Sequence, residues 1–212
     1  MLPHNGQPLS MQGKPLSEAP AAMIMVHGRG ATAESILSLA DYLDAPDYAF
    51  LAPQAANHSW YPQSFLAPIA ANEPGISSGL FVIRELIHTL NKTGIPSQKI
   101  ILLGFSQGAC LSVEFAARHP QRYGGIIGLS GALIGPPDTL RNYPGSLDNT
   151  PVFLGCSDVD SHIPLEQVKE SSRVLQALGA EVEERIYPNM PHTIVDDEIE
   201  FVKTLMIQVL SS

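Results

Sequence analysis

Short apolar runs recur along this chain, separated by segments of helical spacing, and that alternation constrains its fold more than any other feature. The runs are "AAMIMV" (21–26), "YAFLA" (48–52), "KIILLG" (99–104), "GGIIGLSG" (124–131), "PVFLGC" (151–156) and the more polar "EVEERIYP" (181–188). Most are continuously apolar rather than alternating, which suits strands buried on both faces. Helical patterns fall between them at 32–43, 76–92, 107–119, 164–179 and 196–210. In the second of these, Leu80, Ile83, Ile87 and Leu90 share one face and Gly94 supplies a stop. The fourth opens on a proline and closes on a glycine, and the fifth begins with acids, where the helix dipole favours them. Such alternation predicts an α/β fold, a mostly parallel central sheet with helices on both faces.

The rest of the chain fits one domain spanning residues 1–212, because no shift in composition marks a boundary. Residues 1–20 are rich in turn formers and read as an N-terminal arm or edge hairpin. Their "GQPLS" and "GKPLS" echo is too brief for a repeat architecture. The net charge of −9 argues against nucleic acid. The basic residues form no cluster that would favour an anionic membrane surface. No apolar run reaches the ~18 residues needed to span a bilayer, so no stable membrane insertion is expected. The N-terminus lacks the basic and apolar regions of a signal peptide. Two cysteines alone suggest reduced thiols and a cytoplasmic protein.

The stretch "GFSQG" (104–108) joins a predicted strand to a predicted helix. A serine between glycines is a weak signal by itself, but strand–turn–helix is the context of a nucleophile elbow. There Ser106 sits in a strained conformation with its hydroxyl projecting, while the helix N-terminus aims free N–H groups at the reacting centre. The similar "GLSG" at 128–131 is followed by alanine and by no clear helix.

A serine hydroxyl needs a base, and the base needs an acid to orient it. In an open α/β sheet these groups lie beyond the carboxyl ends of later strands. "SDVDSHIP" follows one such strand and "NMPHTI" the last, giving the chain order serine, acid, histidine. His192 is the expected base, with His162 a weaker alternative. His4, His88 and His119 read as surface or capping residues, and His58 lies in the long loop 53–75 near the site. Asp158 and Asp160 both occupy the acid loop, and the residues alone leave the two open. Backbone N–H groups of Gln107, directly after the serine, and of Arg29, in "HGRGA", would form the oxyanion hole. The side chain of Arg29 is expected to point outward.

These motifs resemble the phospholipase/carboxylesterase family of α/β-hydrolases, which includes the acyl-protein thioesterases. The resemblance covers about residues 20–210 and rests on "HGRGA" (27–31), "GFSQGAC" (104–110), "SDVDSHIP" (157–164) and "PHT" (191–193). It implies an α/β-hydrolase fold with no large lid domain, and Ser106, Asp160 and His192 as the triad. The choice of Asp160 over Asp158 comes from this resemblance, because the family's acid stands four residues before a proline, here Pro164. It also supports Arg29 and Gln107 as oxyanion donors. The chain departs from the family at Ala31 and Pro62, where aspartates are usual, and at Ser161, where a proline is usual. Esterase chemistry therefore carries over, and a protein-thioester substrate does not.

The expectation is a serine hydrolase cleaving small-molecule carboxylic esters, with thioesters and lysophospholipids as further candidates, through an acyl-enzyme. It needs no cofactor and no metal, and no zinc spacing occurs among its histidines and cysteines. Trp60 and Phe65 in the loop 53–75, with Leu133 in "ALIGPP", are the expected substrate contacts. Rival readings are a non-catalytic fold that binds a small apolar ligand and a serine peptidase. A homodimer through an apolar patch is compatible with each of them.

Overall fold

The computed structural model describes residues 2–212. Seven strands form one sheet: β1 (Leu9–Gly13), β2 (Ala21–Val26), β3 (Tyr48–Pro53), β4 (Ile100–Phe105), β5 (Gly125–Leu129), β6 (Pro151–Ser157) and β7 (Glu181–Tyr187). Their order is β1-β3-β2-β4-β5-β6-β7. Every pairing from β3 to β7 is parallel, and only β1 runs antiparallel, against β3. The apolar runs form the central strands because both faces are covered. β2 and β3 are buried along their whole length, whereas β7 at the far edge is half exposed, which is why its sequence is more polar.

Six helices cover the sheet: α1 (Ala33–Leu37), α2 (Ala40–Leu43), α3 (Gly75–Lys92), α4 (Gln107–Arg118), α5 (Leu165–Ala177) and α6 (Asp196–Ser211). Side chains of α3, α4 and α5 pack into one core, among them Ile83, Leu111 and Val168. Those of α1, α2 and α6 pack into the other, among them Ile36, Leu43 and Val202. This is the α/β-hydrolase fold, and among the described residues no lid domain interrupts it.

Two expectations need correction. The helix read over 32–43 is broken into α1 and α2. Thr32 and Ser35 form the capping box that starts α1, Ser38 at its end turns its hydroxyl back onto the carbonyl of Ser35 in competition with the helical ladder, and Asp44 ends α2 in the left-handed region. The N-terminal segment is neither a loose arm nor a hairpin on itself. Its β1 caps the sheet edge at β3, with Leu9 opposite Pro53 and Gly13 opposite Ala49.

The chain leaves β2 for β3 on one side and returns to β4 on the other, so the strand order reverses between β2 and β4. A crevice at the carboxyl ends of strands at such a switch point is where open α/β sheets bind ligands. "HGRG" follows β2 and "SQG" follows β4, so both loops meet there. Their approach depends on glycine. A methyl group at Gly108 would overlap the carbonyls of Val26 and His27, and one at Gly104 would overlap the backbone of Gly108. Backbone on both sides leaves little room for adjustment. Gly108→Ala is expected to cost at least about 3 kcal/mol as overpacking. Thermal denaturation would read this as a fall of roughly 6–12 °C at this chain length.

Candidate active site

Ser106 lies between β4 and α4 with φ 55° and ψ −118°, a conformation that non-glycine residues avoid at a cost of about 1–3 kcal/mol. The surroundings hold it there. Its N–H donates to Leu129 O at 2.9 Å, extending the β4–β5 ladder, and its carbonyl accepts the first bond of α4, from Cys110 N–H at 3.0 Å. Ser106 occupies the N-cap of α4, yet its hydroxyl does not cap the helix. The Oγ instead stands 2.8 Å from His192 Nε2.

His192 is carried on the loop between β7 and α6, and its Nδ1 lies 2.6 Å from Asp160 Oδ2. An ionised carboxylate only accepts, so the ring carries its proton on Nδ1 and presents the Nε2 lone pair to the serine O–H. Asp160 has no exposed side-chain surface. Burial alone would raise its pKa, but hydrogen bonds from His192 and from the N–H groups of His162 and Ile163 outweigh it and hold the carboxyl below the usual aspartate range. Asp158 faces elsewhere. Its Oδ1 accepts from Asn189 N–H at 2.7 Å and braces the loop that leads to His192. The line from Asp160 through His192 to Ser106 can remove a proton from the hydroxyl as it attacks, and return that proton to a leaving group.

Arg29 and Gln107 both border the cleft beside Ser106. Among the described residues, neither backbone N–H donates to a protein acceptor. Both groups are therefore free for an oxyanion. The Arg29 side chain is exposed, in keeping with the expectation that it points outward, but it is tethered along the surface. Its Nη1 donates to Ser59 Oγ at 3.1 Å and Pro62 O at 3.0 Å, and its Nη2 to Gln63 O at 2.6 Å. The adjoining His27 is buried, with Nε2 accepting from Ala55 N–H and Nδ1 beside Gly28 O. Burial lowers its pKa, so it is a neutral strut of the loop rather than a base.

The cleft has a volume of about 480 Å³ and is walled by Tyr61, Phe65, Phe105, Cys110 and Ile163 beside Ser106 and His192. Of the three expected substrate contacts, Phe65 lines the cleft. Trp60 and Leu133 do not reach the cleft. Trp60 is completely buried, donates Nε1–H to His27 O at 2.9 Å and packs against His4 and His27. Leu133 is held below the surface, its N–H on Ser171 Oγ at 2.9 Å, and the next N–H, of Ile134, donates to the buried Glu114. That last bond fastens the segment 132–134 to α4, within which Glu114 also pairs with Arg118 at 2.6 Å. His4 is buried too, with contacts to Trp60 O and Ala56 N–H. No local signal in its polar, turn-rich surroundings marked it. Phe105 was overlooked, although its place directly before the serine indicated it, and its ring lies 5.0 Å from that of His192. Both cysteines are free, and burial pushes each thiol up to about 12, which removes them as nucleophiles. Among the described residues no group of three or more His, Cys, Asp or Glu side chains is arranged to hold a metal. None of their helices is long and apolar enough to cross a membrane.

Residues 13–210 match the profile of a family described as Phospholipase/Carboxylesterase. The crystal structure of a phospholipase/carboxylesterase from Dyadobacter fermentans DSM 18053 is similar with a TM-score of 0.93 and 42% identity, over 98% of this chain and 99% of that one. Acyl-protein thioesterase 1 of Saccharomyces cerevisiae is 28% identical over 228 residues, covering 93% of this chain and 96% of its own length. The Bacillus cereus carboxylesterase shares the fold, with a TM-score of 0.75 at 17% identity over 97% of this chain and 95% of that one.

Behind the site, Glu198 at the start of α6 is fully buried. Its Oε2 accepts from Val195 N–H at 3.0 Å, three residues beyond His192, while Oε1 abuts Gly155 of β6 without a partner. Burial pushes this carboxyl from 4.5 up to about 7, and the neighbouring Asp197 adds to the rise. Well below 4.5 both the folded and unfolded chains hold the proton and the group costs nothing. As pH climbs from 4.5 toward 7 the unfolded chain alone releases it, so the fold loses stability, and the full cost is present above 7. Glu198→Gln keeps an acceptor for Val195 and removes the charge. Urea titrations are expected to find the variant more stable at about pH 8, by on the order of 3 kcal/mol. The gain should fade to nothing by about pH 4.

Proposed function

The chain belongs to the phospholipase/carboxylesterase family of α/β-hydrolases and is a hydrolase enzyme; on that premise we propose that Ser106, His192 and Asp160 cleave carboxylic esters through a covalent acyl-enzyme. The observation that carries this reading is the unbroken line of hydrogen bonds, 2.8 Å from Ser106 Oγ to His192 Nε2 and 2.6 Å from His192 Nδ1 to Asp160, at the wall of the cleft.

Ser106 Oγ attacks the ester carbonyl as His192 Nε2 takes its proton, and Asp160 steadies the imidazolium. The carbonyl oxygen gains the negative charge and is received by the N–H groups of Arg29 and Gln107. One such donor contributes about 3–4 kcal/mol of barrier lowering. The tetrahedral intermediate then expels the alcohol, which takes the proton from His192. Water repeats the sequence on the acyl-enzyme and frees the acid, restoring Ser106. A thioester follows the same course with a thiol as leaving group. The substrate is a small molecule seated against Tyr61 and Phe65. Residues 1–212 act as one domain, and the buried, reduced Cys110 and Cys156 favour the cytoplasm.

Treatment with a fluorophosphonate followed by peptide mapping is expected to give a single adduct, on Ser106, absent in Ser106→Ala. Asp160→Ala should lower kcat/KM on esters by about 10³–10⁴-fold. Asp158→Ala should lower it by no more than about tenfold, because Asp158 touches only backbone. A folded protein with no adduct and no turnover across esters, thioesters and peptides would overturn the reading in favour of ligand binding. Faster cleavage of peptides than of esters would favour a peptidase.

A further inference from the structure

The two residues whose N–H groups border the reacting centre send their side chains to one and the same segment of the cleft wall. Arg29 holds Ser59 Oγ, Pro62 O and Gln63 O. Gln107, almost fully buried, accepts from Trp60 N–H at 2.8 Å and donates to Tyr61 O at 2.8 Å. The Ser59 hydroxyl joins the two sets, because it accepts from Arg29 and donates to Tyr61 O at 2.9 Å. Backbone bonds close the same seam. Gly30 N–H donates to His58 O at 2.7 Å, and His58 Nδ1 lies 3.0 Å from Ala31 O. Trp60 Nε1–H on His27 O pins the inner end.

The oxyanion loop 28–31, the first residue of α4 and the wall segment 58–63 are therefore one hydrogen-bonded body. Tyr61, Pro62 and Gln63 of that segment line the cleft directly, and Ser64 and Phe65 continue the same wall. A substrate that presses on this wall presses on the donors as well. Oxyanion stabilisation depends steeply on donor placement, and a shift of about 1 Å in a reacting assembly can cost about 10²-fold in rate.

We propose that the side chains of Arg29 and Gln107 are positioning residues that couple the 58–65 wall to the oxyanion donors, so that the fit of the substrate's apolar group against Tyr61 and Phe65 is expressed in kcat rather than in KM. The coupling rests on the esterase reading given above. It also gives Arg29 a task other than attracting an anionic substrate, since its guanidinium is already engaged by three oxygens. Both residues keep their backbone N–H groups when the side chain is replaced, which separates the coupling from the oxyanion hole as such.

Steady-state kinetics on p-nitrophenyl esters from acetate to octanoate test this in the full chain. The parent enzyme is expected to vary in kcat along the series with little change in KM. Arg29→Ala should lower kcat on the best substrate by about 10- to 100-fold and flatten the dependence of kcat on chain length. Arg29→Lys, which can reach some of the three oxygens, should recover part of both effects. Gln107→Ala should resemble Arg29→Ala, and the double variant should lose less than the product of the single losses, because both side chains hold one segment. Thermal melts check that each variant is folded, and Arg29→Lys and Ser59→Ala stand in for any that is not. A kcat profile left unchanged by Arg29→Ala, or a loss confined to KM, would overturn the coupling. So would purely multiplicative losses in the double variant. The parent enzyme separates the two levels: absent fluorophosphonate labelling and absent turnover refute the esterase reading itself, whereas normal labelling and turnover with an unaltered profile in the variants refute the coupling alone.

Discussion

The first turn of α4 rests directly on the end of β2, with Gly108 against the carbonyls of Val26 and His27, and the rest of the site depends on that approach. It brings the serine turn and the "HGRG" loop within reach of each other, which no pair of ordinary side chains at this crossing would permit. It also forces Ser106 into its positive-φ conformation, because the chain must leave β4 and enter a helix packed this tightly within one residue. The strain is local, and ordinary elements oppose it: the ladder to Leu129, the first helical bond to Cys110 and a helix buried on nearly every side. The hydroxyl leaves the first turn of α4 uncapped and turns to His192.

Two buried carboxyls within the same region meet opposite fates, and hydrogen bonding decides between them. Asp160 receives the His192 ring and two backbone N–H groups, enough to offset its burial and keep the charge. Glu198 receives one N–H and leaves an oxygen unpartnered, so burial wins and the proton is retained toward neutrality. Desolvation is common to the two sites; the number of donors is not. The proposed chemistry uses the first situation, a fixed negative charge beside an imidazole. The second serves the scaffold, where a carboxyl caps the start of α6 below the His192 loop at the expense of stability above neutral pH.

The sheet was legible from sequence because its central strands are buried on both faces and so are continuously apolar. β1 was harder to read, since an exposed edge strand such as "LSMQG" takes its structure from pairing with β3 rather than from its own pattern. At the break between α1 and α2 the Ser38 hydroxyl folds back on the chain, an option that serine offers in helices and loops alike. Ser106, His192 and the loop that carries the acid could be located by their positions after β4, β7 and β6, because topology fixes where such loops emerge. The choice between Asp158 and Asp160 needed family resemblance, since both lie in one loop and differ only in the direction of the side chain. Trp60 and Leu133 were misjudged as wall residues for a related reason. Apolar side chains in a loop serve core and cleft equally well, and partners distant in sequence, His27 for Trp60 and Ser171 for Leu133, decided which.

Two of the departures from the family pattern, Ala31 and Pro62, fall within the seam that joins residues 28–31 to the wall segment 58–63, whereas the third, Ser161, lies beside Asp160 after β6. Ala31 and Pro62 offer no carboxylate, and neither can make a side-chain hydrogen bond. At Pro62 the backbone carbonyl is what remains, and Arg29 takes it together with the carbonyl of Gln63. At Ala31 the carbonyl lies beside the ring of His58. At these two positions the seam is thus closed through backbone oxygens, with Arg29 donating to those of Pro62 and Gln63. Backbone acceptors are present whatever side chain occupies the position. The bonds from Arg29 to the carbonyls of residues 62 and 63 would therefore persist through a change of side chain in the wall, whereas its bond to the Ser59 hydroxyl would not.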